Sequence, residues 1–505
     1  EIYPNMYWYY GQMDMKAVRR VREIPNLMLT WISNFSCAPD SFMLHYLRWM
    51  MGEKPYLVLE MDSHTADAGI DTRIEAFLDI VDSYRRHVKP TRHYDMERRY
   101  KIHLKKQFAD IEDTATGARF DIRDPRVLLV WPPMGDLSTE LVAAATRRQG
   151  IRSVHMPIPD VRSTQLARNV ASGKECIPSL LVLGSMLQFL EKHRPERPDE
   201  IILVYVPSTL GPCRTGQYHV FYDHLLHEMG FENVVWKAIV LSDYFTDIRH
   251  GIRVLAQDPD TGLQVFDECW KDVVVSVGGS RKDFNACLDR CRQRFLTIPK
   301  KTTMEKVKKV MVVGEIYVRR DDFSVRELVD HLISQGIYPK LAGVTEWIYY
   351  MDWSQRYLLR NQLQRDGLVR ATLGGWLKNK AFLEAESWFK RRVDRHVREA
   401  LLPTGFLPDM HEDMNEALAR GTQEFVSPEL ESESTISPAM AAAAMEHGYD
   451  GIAIIAPFGC LIGRKKKGYP VVTLENDGQP YPPNIISRIE VFSHNVLRYE
   501  PKQNH

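Results

Sequence analysis

Six short runs along this chain are apolar at successive rather than alternate positions: Tyr56–Met61, Val127–Trp131, Ile201–Val206, Lys309–Val313, Ile452–Ile455 and Val471–Leu474. A strand apolar on both faces is one covered on both faces, so these runs predict parallel strands between helix layers. Leu27–Ile32 is a further run of the same character. Between the runs the period changes. Ile74, Phe77, Leu78 and Val81 fall at i, i+3, i+4 and i+7 and predict one apolar face of a helix. Ser437 predicts an N-cap, Pro438 the first helical position, Ala439–Met445 the helix body and Gly448 its stop.

This alternation predicts the α/β class, with Rossmann-like parallel sheets in two lobes. Residues 1–125 are expected to form the end of an N-terminal α/β lobe, 126–300 one Rossmann-like lobe, and 301–505 a second lobe with a mixed-charge helical insertion around 355–400. Ile298–Thr303 and the polar stretch Asp110–Arg126 are the expected linkers, and the acidic stretch SPELESESTISP is expected to be a loop.

Composition narrows the partners. Lys plus Arg number 66 and Asp plus Glu number 66, so no net field draws the chain to nucleic acid or to anionic lipid. The run Arg464–Lys467 reads as a solvated loop. No apolar stretch approaches the roughly 18 residues that span a bilayer, and EIYPNMYWYY is not a secretory leader. A cytoplasmic protein with no membrane or nucleic-acid partner is expected. The chain begins without Met, close to an apolar segment, and is expected to be a piece of a longer polypeptide.

Seven cysteines, odd in number and widely spread, argue against a secreted disulfide framework. In open parallel sheets, ligands sit beyond the carboxyl ends of the strands. Cys213 in GPCRTGQYH follows the run Ile201–Val206, Cys460 in APFGC follows Ile452–Ile455, and Cys37 in NFSCAPDS follows Leu27–Ile32. Cys176 in ASGKECIP precedes the helical pattern SLLVLGSMLQFLEKH. Four cysteines at strand ends or helix starts, beside Gly or Pro, suit thiolate ligands of an iron–sulfur cluster between two lobes. Zinc, thiol catalysis with His219 near Cys213, and plain core packing are the other readings. Cys269, Cys287 and Cys291 read as structural, although Cys287 and Cys291, one helical turn apart, form a spacing that can bind metal.

At these residues a family resemblance enters. NFSCAPDSF, GEKPYLVLEMDSHTADAGIDTRIEAFLDI, ASGKECIPSLLVLGSML, GPCRTGQYH, VGEIYVRRDDFS, EWIYYMDW and APFGC, in that order, resemble the C-terminal half of the large activase-related proteins of the 2-hydroxyacyl-CoA dehydratases, a group that includes the double-cubane cluster proteins. The resemblance runs from about Ser33 to Arg498. It implies Cys37, Cys176, Cys213 and Cys460 as ligands of a 4Fe-4S cluster or an 8Fe-9S double cubane. It also implies an anaerobic electron-transfer or reductase component in a complex or oligomer, fed low-potential electrons by an ATP-hydrolysing activase of actin-like fold with its own 4Fe-4S cluster. ATP would bind only on that partner domain or subunit, because this chain has no Gly-rich nucleotide signature; Gly278-Gly279 is not one. The stretch FGCLIGRKKKGYP departs from the family in lacking the proline common after that cysteine. A scaffold or maturation subunit with a structural cluster, and a dehydratase-type lyase, are the competing readings.

Around such a cluster, Arg214 would hold an anion and His219 would deliver a proton. Asp62, His64 and Asp67 follow the strand Tyr56–Met61 as candidates for proton transfer, His64 among the expected catalytic residues, and Glu315 with Arg319 and Arg320 follows Lys309–Val313 at another strand end. The aromatics Trp347–Trp353 read as packing.

Overall fold

A computed structural model describes the chain apart from residues 1–5, 7, 35–36, 63–64, 87–99, 105–108, 172–173, 194, 198–199, 207–227, 230–234, 278, 374, 409–413, 425–426, 429–432, 458–468, 477–480 and 501–505. Its strands are β1 (Leu29–Asn34), β2 (Tyr56–Met61), β3 (Tyr100–Leu104), β4 (Ala109–Asp113), β5 (Arg119–Asp121), β6 (Val127–Trp131), β7 (Ser153–His155), β8 (Ile201–Tyr205), β9 (Glu228–Met229), β10 (Lys309–Gly314), β11 (Tyr338–Leu341), β12 (Gly451–Pro457) and β13 (Val471–Asn476). The class is α/β. Two four-stranded parallel sheets carry the architecture, one in the order β7-β6-β8-β9 and the other β11-β10-β12-β13. A parallel pair β1-β2 precedes them.

Each doubly apolar run is a strand, and the central ones are covered on both faces. Every residue of β6 and of β12 is buried. Register follows from the pattern: Val310 pairs with Gly451 and Val313 with Ile454, so the most apolar strands lie side by side. The long helix Val235–Leu255 joins the two sheets. It packs on the helix Asp136–Arg147 of the first sheet and on β11 of the second. Leu241, Phe245, Ile248, Ile252 and Leu255 form one fully buried stripe, and one apolar cluster takes in both this helix and β6.

Some expectations change. The polar stretch Asp110–Arg126 is no bare linker: β4 and β5 form an antiparallel hairpin with β3, with Ala109, Ile111 and Ile122 in the core. On the helix Asp67–Arg86 the inner face is narrower than the pattern, since Phe77 and Val81 are buried whereas Ile74 and Leu78 are exposed. The helix expected to start at Ser437 starts at Glu433, so Pro438 stands inside it and half of the acidic stretch is helical. Ser437 has another partner: its Oγ donates to the Gly314 carbonyl at 3.2 Å. Gly448 ends the helix as expected, with φ of +76° and the Tyr449 N–H returning to the Ala444 carbonyl.

Glycine is required at the end of β10. Gly314 has φ of +127°, and a Cβ there would stand 1.8 Å from the Ile455 carbonyl oxygen of β12. Gly314→Ala is expected to cost about 1–3 kcal/mol in backbone strain alone, read from the urea midpoint. A loss below about 0.5 kcal/mol, the size of an ordinary surface change, would contradict this account of the strand crossing.

The aromatics of EWIYYMDW lie on the helix Thr345–Leu373 and stack along it, Tyr350 on Trp353 at 6.0 Å and Trp353 on Tyr357 at 5.8 Å. They belong to the apolar cluster beneath β10 and β12. Among the described residues, no helix is long and apolar enough to cross a membrane.

Candidate iron–sulfur site

Two of the four candidate cysteines can be placed. Cys37, three positions beyond the last residue of β1, is half-buried and is the N-cap of the helix Ala38–Met51, with Pro39 in the first turn. Its N–H donates to the Asn34 carbonyl and its own carbonyl accepts from the Ser41 N–H. Cys176 is buried and stands immediately before the helix Ile177–His193. Its carbonyl accepts from Ser179 and Leu180. The first turns of both helices carry positive dipole ends, which favour a thiolate over a thiol. Cys213, Cys460, Arg214, His219 and His64 lie outside the described residues.

The helix after Cys176 is apolar all round, as in SLLVLGSML, because it is enclosed. All residues from Ile177 to Met186 are buried, and the helix packs on Val161–Val170 and on the short helix Ile316–Arg320.

The segment before Cys176 is pinned to the unit that carries Cys37. The Lys174 ammonium pairs with Glu60 on β2, and the Glu175 carboxylate meets the His45 imidazole on the helix that Cys37 caps. Glu60 is registered against Ser33 of β1, just ahead of the turn that holds Cys37. Phe42, from the same helix, shares a buried apolar cluster with Cys176. Lys174 and Glu175 thus tie the segment before Cys176 to β2 near its carboxyl end and to the helix Ala38–Met51. Burial holds His45 below the usual imidazole range, against the pull of Glu175.

A second polar group assembles where the two large sheets meet. Gly135, two residues beyond Pro133 on the loop after β6, has φ of +82°, and a Cβ there would lie 2.8 Å from the Arg320 carbonyl oxygen. The loop after β6 therefore rests on the helix after β10. The Asp136 N–H donates to Asp322 Oδ2 at 2.8 Å, and Arg249 bridges Asp136 at 2.5 Å and Asp322 at 3.1 Å. Burial raises the Asp136 carboxyl, but Arg249 outweighs it and holds the group below its ordinary value. Burial pushes Asp321 up to about 7. Its Oδ2 accepts from Ser324 while its Oδ1 has no hydrogen-bond partner.

Glu315, Arg319 and Arg320 prove to be buried. Glu315 caps the helix Ile316–Arg320 by accepting from Val318 at 2.9 Å. Arg319 pairs with Glu346 and Arg320 with Asp243. Asp62 is exposed and accepts from the Thr65 hydroxyl, and Asp67 opens the helix Asp67–Arg86. Sequence reasoning missed Asp136, Asp243, Arg249, Asp321 and Asp322. The usable signal was polar residues between the apolar positions of LSDYFTDIRHGIRVL, a helix with no solvent face.

Cys269, Cys287 and Cys291 are buried together between the helices Pro259–Ser276 and Arg281–Leu296. The Cys291 thiol lies 3.7 Å from the Cys269 carbonyl oxygen. Among the described residues, no group of three or more His, Cys, Asp or Glu is arranged to hold a metal ion. A scan against family models, a search of curated proteins and a search of solved structures each find no match to this chain.

His250 offers a pH signature of the inter-sheet helix. It is buried, its Nδ1–H donates to the Pro339 carbonyl at 3.1 Å, and burial lowers its pKa from 6.5 to about 3. The folded value lies below the unfolded one, so its contribution is complete above pH 6.5 and is lost as pH falls from 6.5 towards 3. Relative to a His250→Gln variant, the native chain is expected to lose about 1.4 kcal/mol for each pH unit below that point. Urea unfolding of both proteins between those values measures the difference. Parallel pH profiles would show that His250 is not held neutral.

Proposed function

We propose that this chain is an iron–sulfur electron-transfer or reductase component built from two Rossmann-like lobes, with Cys37, Cys176, Cys213 and Cys460 holding the cluster. In this reading an ATP-hydrolysing activase of actin-like fold supplies low-potential electrons, which the chain passes to a small substrate or a partner enzyme. The observation that supports it is the clamp of Lys174 and Glu175 on Glu60 and His45, which ties the segment before Cys176 to the unit whose helix Cys37 caps. Both cysteines lead into helix N-termini, and that donor chemistry fits a cluster with anionic sulfides.

When bound, the cluster would supply one-electron transfer at low potential. The protein groups do the rest. The helix starts at Ala38 and Ile177 offset thiolate charge, the apolar helix Ile177–His193 keeps water from that side, and Asp321 holds a titratable proton near neutrality beyond the end of β10. Arg214 and His219, beside Cys213 in the sequence, are the proposed anion-holding and proton-delivering residues.

Iron and acid-labile sulfide per chain after strictly anaerobic purification, with an electron paramagnetic resonance spectrum of the reduced protein, test this reading. About four irons favour a single cubane and a relay, whereas about eight favour a double cubane. Stoichiometric zinc, or no metal after anaerobic reconstitution, would overturn it.

A further inference from the structure

The helix Trp376–Leu401 buries Trp376, Leu383, Val397 and Leu401 on its inner side. Its outer side is apolar too. Leu377, Phe382, Trp388 and Phe389 are 56 %, 70 %, 60 % and 48 % exposed, and Ala381 and Ala385 are exposed between them. A helix apolar on both sides has a second surface to cover. Charge says what covers it. From Leu377 to Arg395 no acidic residue is exposed, whereas Lys378, Lys380, Arg392 and Arg395 are. The carboxylates of this stretch are engaged elsewhere: Glu384 pairs with Arg356, Glu386 with Lys390, and Asp394 accepts from the Tyr244 and Tyr349 hydroxyls. The Arg392 guanidinium stands over the Trp388 ring at 5.4 Å, so a cation is held at the border of the apolar surface. The equal totals of basic and acidic residues in the whole chain hide this local excess.

A second copy of the chain fits this face poorly, because two-fold pairing sets its Lys and Arg against the same Lys and Arg. An exposed ridge of aromatic rings with cations beside it suits a soft anionic surface, which takes such a ridge without a matching groove. We propose that this face is a peripheral contact with anionic membrane lipid, its Leu, Phe and Trp side chains entering the boundary between headgroups and acyl chains. Lys378, Lys380, Arg392 and Arg395 then meet the lipid phosphates. The contact is with the surface of one leaflet, since no helix of the described residues is long and apolar enough to cross. It does not depend on the iron–sulfur reading.

The test is flotation of the full chain with vesicles of pure phosphatidylcholine and of phosphatidylcholine with about 30 % phosphatidylglycerol. Partition onto the anionic vesicles is expected to be at least roughly tenfold stronger, and to fall as salt rises from about 50 mM to about 500 mM. Phe382→Ser with Trp388→Ser is expected to weaken that partition at least roughly tenfold, and Lys378→Glu with Arg395→Glu to remove the preference for anionic lipid. Val491→Ser, at an exposed apolar residue of the helix Pro483–Arg498, is the control and should change neither. No flotation with the anionic vesicles, equal flotation with both kinds, or unchanged flotation in both folded double variants would overturn the proposal. The face would then belong to an acidic protein surface or, where native chains dimerise in sedimentation velocity and Phe382→Ser with Trp388→Ser dissolves the dimer, to a second copy. If the double variants fail to fold, the ratio of native partition between the two kinds of vesicle decides the question.

Discussion

Cys176→Ala is expected to leave the chain folded but unable to retain a cluster, with reconstituted iron falling from about four per chain to less than about one and the visible chromophore lost. Cys37→Ala should behave alike, because in the proposed site both thiolates are cluster ligands, and the Lys174–Glu60 and His45–Glu175 contacts tie the segment before Cys176 to the unit that carries Cys37. The control is Cys269→Ala. That thiol is as deeply buried as Cys176 but sits between the helices Pro259–Ser276 and Arg281–Leu296, so its loss should cost packing and leave iron untouched. Full iron retention in both Cys37→Ala and Cys176→Ala would remove the basis of the proposed function. Iron loss in Cys269→Ala alone would move the site to the thiol cluster of Cys269, Cys287 and Cys291. Unfolding curves of the apo proteins, taken alongside, separate ligand loss from misfolding.

The largest stability effect is expected at Arg319. Its side chain is wholly buried, donates to the carbonyls of Gly314 at 2.9 Å and Gly343 at 3.3 Å, and pairs with Glu346 at 3.2 Å. Arg319→Met fills the volume with an apolar chain but takes the cation from the buried Glu346 carboxylate and one donor each from the Gly343 and Gly314 carbonyls, of which Gly314 keeps Ser437. Removing one partner of a buried ion pair costs about 3–5 kcal/mol, whereas an exposed pair contributes about 0–1 kcal/mol. Arg365→Ala is the contrast: Arg365 is exposed and pairs with its neighbour Asp366. Denaturant midpoints of the two variants should therefore separate widely. Similar midpoints would mean that Glu346 reaches water or finds another donor once Arg319 is gone. A double variant, Arg319→Met with Glu346→Leu, should recover much of the loss, because it removes the stranded charge together with its partner.

The same contrast between local pattern and assembly runs through the whole molecule. Strand positions were legible because burial on both faces leaves a direct trace, a run of apolar residues with no alternation, as in Val127–Trp131; Tyr56–Met61 is a strand too, but only Leu57 and Leu59 in it are buried. Parallel pairing was legible for the same reason. The start of the helix at Glu433 was not. Ser437 and Pro438 make a good local start signal, but Ser437 is buried against the Gly314 carbonyl, and that tertiary bond carries the helix one turn further back. Ile74 and Leu78 show the converse, apolar residues on a helix whose inner face is narrower than its pattern.

For the candidate site, sequence alone determined that Cys37 and Cys176 stand at turns leading into helices, since Gly, Pro and a following apolar period are local signals. Only the tertiary structure decided that Glu175 meets His45, that Lys174 meets Glu60, and that Arg249 bridges Asp136 and Asp322 across more than seventy residues in either direction. Such contacts join charged side chains whose identities say that a partner is needed, not which one. Choosing it takes the packing of two separate sheets on one buried helix, and no periodicity along the chain records that.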